Sequence, residues 1–116
     1  MGLVFKENNL RRILETRKTM TRRTGKNELK VGKIYPIKSQ YYKKGKAKVL
    51  ILRKFKQRLG DISLKDVQKE GFDTLAEFQA AWIRIHHSWH PEKVVTVYEF
   101  KFVSQNLHRP VSTSPL

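Results

Sequence analysis

Apolar residues recur along this chain in several distinct rhythms. Leu10, Ile13 and Leu14 fall at helical spacing, with Arg11, Arg12 and Glu15 on the other side. Asn8 or Asn9 stands where a helix cap belongs, so the spacing predicts a first helix ending near Thr16, after a short strand over Gly2 to Phe5. Thr19 to Arg23 favours extended chain through its threonines, and Gly25 to Asn27 makes a turn. Val31 to Ile37 reads as a turn feeding an edge strand, because Pro36 has no N–H for a central ladder. Ala47 to Leu52 is an apolar-rich run that continues with alternation to Leu59, until Gly60-Asp61 stops it.

Two short helices are announced next. Ser63 with Asp66 is a loose N-terminal signature, and Thr74 with Glu77 is a full capping box. The second helix carries Leu75, Phe78, Trp82 and Ile85 on one face and is expected to stop at His90-Pro91. Lys93 to Val103 alternates most clearly, with Val94, Thr96, Tyr98, Phe100 and Phe102 on one side and Glu99 and Lys101 on the other. Residues 104–116 hold Pro110 and Pro115 and few apolar positions, which predicts a draped or frayed tail behind a domain over 1–103. The order β-α-β-β-β-α-α-β predicts an α+β fold in which a mostly antiparallel, curved sheet or partial barrel carries about three short helices.

The length, 116 residues, suits a single domain. Absence of cysteine removes disulfides and thiolate metal sites and fits a reducing compartment. The opening apolar run is too short for a signal peptide, and no stretch approaches the roughly 18 apolar residues of a membrane span, so a cytoplasmic protein without a membrane partner is expected. Charge changes the picture more. The formal net charge is +15, and residues 1–60 hold 19 Lys and Arg against Glu7, Glu15 and Glu28. Residues 61–116 hold six basic and seven acidic residues. Solubility needs a net charge of only about 2 to 8. A lopsided excess of this size points to a polyanionic partner, RNA or a nucleotide-derived ligand, that offsets the self-repulsion.

Two stretches concentrate that charge. Tyr41, Tyr42, Lys43 and Lys44 combine rings that stack on bases with phosphate-binding ammonium groups, and Lys54 and Lys56 extend the same cationic region. A solvated hairpin with ordinary strand tyrosines reads equally well from those residues. The denser stretch is Arg17, Lys18, Thr19, Met20, Thr21, Arg22 and Arg23, between the first helix and the next strand. Here the sequence resembles the ASCH family of small PUA-like domains, which carry Gly-x-Lys-Thr-x-Thr-x-Arg after their first helix. Lys18, Thr19, Thr21 and Arg23 fill the last four defined places, while Thr16 stands at the Gly place. Asp66 to Phe72, then Glu77, Phe78 and Trp82, look like the family's paired helices, and Val95 to Phe102 like its closing strand. The resemblance covers about residues 3–103.

It implies a PUA-like β-barrel with a cleft beside the motif and a link to RNA. It also implies two enzymatic possibilities: some members are similar to amidohydrolases on N4-acetylcytidine, using a Lys, a Thr and a Glu, and others to ribonucleases. Carried over by motif, that catalytic set is Lys18, Thr21 and, with a one-residue gap nearby, Glu70. Threonine needs a base, and a lysine serves only with its proton displaced by burial or like charge, which Arg17, Arg22 and Arg23 would supply. In a regular strand Lys18 and Thr21 point to opposite faces, so they share a site only if Lys18 lies in the turn before the strand or a bulge intervenes. The plainer expectation is binding without turnover. In that reading Lys18 and the arginines hold phosphates, Thr19 belongs with them to the nucleic-acid-binding set, Thr21 hydrogen-bonds locally, and Glu70 is a helix C-terminal carboxylate before Gly71 or half of an ion pair. A protein whose charge docks an acidic partner is the third reading. His86 and His90, four apart, lack the acidic neighbour a zinc site wants. No metal or cofactor is expected, and a monomer is the default.

Overall fold

The computed structural model describes residues 3–4, 13, 17–25, 29–38 and 47–104. The connection holding Tyr41, Tyr42, Lys43 and Lys44, the tail beyond 104 and most of the expected first helix lie outside the described residues. Ile13, from that helix, is described as helical and fully buried.

Five strands are seen: β1 (Leu3–Val4), β2 (Met20–Arg23), β3 (Ile34–Lys38), β4 (Ala47–Arg58) and β5 (Val94–Ser104). A 3-10 turn over Leu59–Asp61 leads into α1 (Leu64–Lys69) and α2 (Leu75–His86). The sheet order is β1-β3-β4-β5-β2, antiparallel throughout except for the parallel pairing of β1 with β3. β3 is therefore not the edge strand that Pro36 suggested. Pro36 is tolerated because β1 meets β3 at Ile37 and Lys38, beyond the proline. Among the described residues the strands form an open sheet, with β1 and β2 at its margins, and barrel closure is not seen. Two α-helices and the 3-10 turn, rather than three helices, are fully described.

The long β4–β5 ladder holds the molecule together. A register shift interrupts it between Ile51 and Arg53, so Leu52 has no direct partner on β5. Directly paired residues lie on one face of a sheet. The ladder thus separates two apolar clusters, one on each face. The first joins Ile13, Leu29, Ile37, Val49, Ile51, Tyr98 and Phe100. The second packs Val67, Phe78 and Trp82 of the helices, with Leu59, onto Met20, Val95 and Val97. Alternation along β5 marked one buried face, yet both are buried between Val95 and Tyr98, because helices cover the second. Each such side chain contributes roughly 1.5–3 kcal/mol of burial.

Both helix starts form as the sequence predicts. Ser63 Oγ accepts from the Asp66 N–H at 3.1 Å. Thr74 Oγ1 accepts from the Glu77 N–H while Glu77 Oε1 accepts from the Thr74 N–H, each at 3.2 Å. α2 ends earlier than His90-Pro91, at His86, with His87 in the left-handed region at φ 71°. Its apolar face is also narrower, since Leu75 and Ile85 are each 42% exposed.

Candidate functional site

The end of α1 is a built corner. Glu70 caps the helix and Gly71 turns at φ 98°, a conformation a side chain resists. The Gly71 N–H donates to Gln68 O and the Phe72 N–H to Val67 O, the paired bonds that close a helix C-terminus. Thr19 ties this corner to the sheet: its N–H donates to Lys69 O at 2.7 Å, and its carbonyl accepts from the Phe100 N–H at 2.8 Å. β2 begins one residue later, so Lys18 sits in the turn before the strand and can swing toward α1.

It does. Lys18 Nζ donates to Glu70 Oε1 at 2.8 Å and lies 3.3 Å from the Glu70 carbonyl oxygen. Arg22 Nη1 takes the other carboxylate oxygen, also at 2.8 Å. Arg22 Nη2 donates to Gln57 Oε1 at 2.7 Å and reaches Asp66 Oδ2 at 3.4 Å. The Arg22 side chain is 0% exposed, and Lys18 and Glu70 are buried beside it. Two cations thus meet two carboxylates. Among the described residues one polar atom is left over, since Arg22 Nε is buried without a hydrogen-bond partner. Buried charge persists only when paired, and removing one member of such a set costs about 3–5 kcal/mol.

The opposite sheet face holds a different group. Thr21, Tyr98 and Lys54 pair in a row across β2, β5 and β4, and Arg23, Thr96 and Lys56 form the next row. Arg23 Nε donates to Thr21 Oγ1 at 3.2 Å, and Lys54 Nζ lies 5.7 Å from the centre of the buried Tyr98 ring. Burial pushes the Arg23 guanidinium below its ordinary pKa, while Glu70 and Tyr98 pull it back up. Lys54 and Lys56 are exposed, and neither makes an ion pair among the described residues.

Of the residues singled out by sequence, Lys18 and Glu70 are therefore in contact. Thr21 lies on the other face, where it accepts from Arg23 Nε. Thr19 serves through its backbone. Arg22 does not present its charge at the surface but supports Glu70 from inside. Arg17 is exposed, reaches Asp73 at 3.8 Å and lines a cavity of about 420 Å³ with Phe72, Glu77 and Arg84. Asp66, Gln57 and Thr96 were missed. Asp66 was legible in principle, four residues before Glu70 and hence on the same helical side. Among the described residues no group of three or more His, Cys, Asp or Glu is placed to hold a metal, and no helix is long and apolar enough to cross a membrane.

No protein-family model matches the chain, and no curated protein sequence matches it. Solved structures do. An ASCH domain from Lactobacillus crispatus JV V101 superposes with a TM-score of 0.71 at 18% identity, over 84% of this chain and 71% of that one. A protein of Enterococcus faecalis V583 described by the family model DUF984 superposes with a TM-score of 0.64 at 16% identity, over 90% of this chain and 81% of that one. The fold is that of an ASCH domain, as the residues around Lys18 led one to expect.

Proposed function

We propose that this chain is an RNA- or nucleotide-binding ASCH-type domain, capturing single-stranded or structured RNA on a cationic cleft. The observation that carries this reading is the pair of rows Thr21–Tyr98–Lys54 and Arg23–Thr96–Lys56. They set hydroxyls and cations on one sheet face, away from the helices that neutralise the other. The PUA-like barrel belongs to the same reading, as the form in which such a sheet cups a ligand. Point charges of this kind set affinity and salt dependence more than sequence choice. The test is binding of a single-stranded oligonucleotide at several salt concentrations. Log affinity should fall with log salt by about 0.7 per phosphate contacted. A flat response would sink the reading.

A second reading, hydrolysis of an N4-acetylcytidine-like nucleoside, is favoured by the 2.8 Å contact of Lys18 with Glu70, with Thr21 on the opposite sheet face. To act as a base Lys18 must first give up a proton, and its nearest acceptor is a carboxylate already held by Arg22. The resting arrangement therefore favours binding. Incubation with N4-acetylcytidine decides the matter: deacetylated product that disappears in Lys18→Ala would establish the hydrolase and displace simple binding.

A further inference from the structure

Away from the Lys18–Glu70 corner, a small cavity of about 130 Å³ opens where α2, the loop after it and the end of β2 meet. Thr24, Trp82, His86, Ser88, His90 and Lys93 line it. The volume is well under the roughly 300–1,000 Å³ of pockets that enclose a drug-sized ligand, and it suits a compact tetrahedral ion.

The walls are held in place. The His86 ring stacks on Trp82 with centres 4.0 Å apart and planes 27° apart. The loop carrying His90 and Lys93 is pinned to the end of β4. The Leu59 N–H donates to Lys93 O and the Gly60 N–H to Pro91 O, both at 2.8 Å. Gly60 has no room for a side chain there, since a Cβ would meet Pro91 Cβ at 2.7 Å.

The charge is of one sign. No carboxylate lines the cavity. Lys93 Nζ makes no hydrogen bond or ion pair among the described residues. Burial first, then the charges of Lys93, Arg23 and His87, hold the His86 imidazole below its ordinary pKa. Two histidines without an acid or thiol beside them fall short of a zinc site.

We propose that this cavity is a phosphate pocket, in which Lys93, His86 and His90 hold a phosphoryl oxyanion and the hydroxyls of Thr24 and Ser88 complete its shell. The phosphoryl group can be free, or the terminal phosphate of a nucleotide or RNA. None of the groups that would hold the phosphoryl oxygens carries the RNA-binding reading, although Arg23 adds its charge to both places, so either can fail alone.

The test follows the imidazole resonances of His86 and His90 in the full chain during titration with sulfate, whose charge is constant over the range used, and with inorganic phosphate. Saturable shifts are expected, with the His86 pKa rising on binding. A rise of one unit corresponds to sulfate bound up to about tenfold tighter below the free His86 pKa than above the bound one. Lys93→Gln and His90→Asn should each weaken binding at least about fivefold while leaving the thermal unfolding midpoint in place. Shifts that never saturate, or affinities unchanged in both variants, would overturn the pocket. Oligonucleotides with and without a 5′-phosphate then separate the sources. Tighter binding of the phosphorylated one assigns a terminal phosphate, and equal binding at the strength of inorganic phosphate assigns the free ion.

Discussion

On the helix side of the sheet Arg22, Arg53 and, from α1, Lys69 each end on a carboxylate, while on the other side Lys54 and Lys56 end in solvent. Arg22 meets Glu70 and Asp66, and Glu99 is shared by Arg53 at 3.0 Å and Lys69 at 2.9 Å. For Arg22 the pairing follows from burial, whereas Arg53, 60% exposed, is paired at the surface. A charge taken from water must be matched within reach, whereas an exposed lysine tolerates having no partner. The helix side uses its charges to fix the corner between α1 and β2. The other side leaves Lys54 and Lys56 without an ion pair among the described residues.

The largest break in this contrast is Glu70→Ala. It strands two buried cations and should cost about 3–5 kcal/mol in denaturant-induced unfolding. If Glu70 merely decorates the surface, the loss will stay below about 1 kcal/mol. Next comes the double substitution Lys54→Ala and Lys56→Ala. Stability should change by less than about 0.5 kcal/mol per site, while the salt slope for a single-stranded oligonucleotide falls by about 0.7 for each lost phosphate contact. An unchanged slope would mean that the open side does not touch the backbone.

The smallest effect is in the pH dependence. The hydrogen bond from Lys69, with its charge and that of Arg53, holds the Glu99 carboxyl below the usual range. A lowered carboxylate pKa in the folded state means that this stabilisation is complete above the unfolded value, about 4.3, and is lost as pH falls through the folded one. Glu99→Gln should flatten the decline in thermal stability below about pH 4.5, by less than about 1 kcal/mol. An identical acid limb in the variant would remove Glu99 from the account.

Local signals in the sequence were read well. The caps at Ser63 and Thr74, the alternation of β5 and the motif at Lys18 each depend on residues a few positions apart. Partnerships across the fold were read at Lys18 with Glu70 and little further. Nothing near Arg22 announces that it is buried against a carboxylate 48 residues away, and arginine is almost never fully buried unless paired. The charge asymmetry of the two halves was also read too simply. Arg17, Lys18, Arg22, Arg53 and Arg58 all find acids in the second half, at Asp73, Glu70, Asp66, Glu99 and Asp61. Part of the cationic surplus is thus structural. The breadth of the apolar face of α2 was overestimated for a related reason: helical spacing shows which residues align, not how far the neighbouring sheet extends to cover them.

The unpaired Leu52 acts on β4 as an inserted letter acts on a reading frame. Before it, odd-numbered side chains such as Val49 and Ile51 look toward the first cluster, and after it the even-numbered Lys54 and Lys56 look the same way. Leu52 is accordingly the letter this strand can lose without altering which way any later side chain faces. Drawn into a regular ladder instead, it would turn Phe55 out among solvent and press two lysines into the oil beneath the helices. One spare residue lets a single strand be greasy at one end and cationic at the other along the same side.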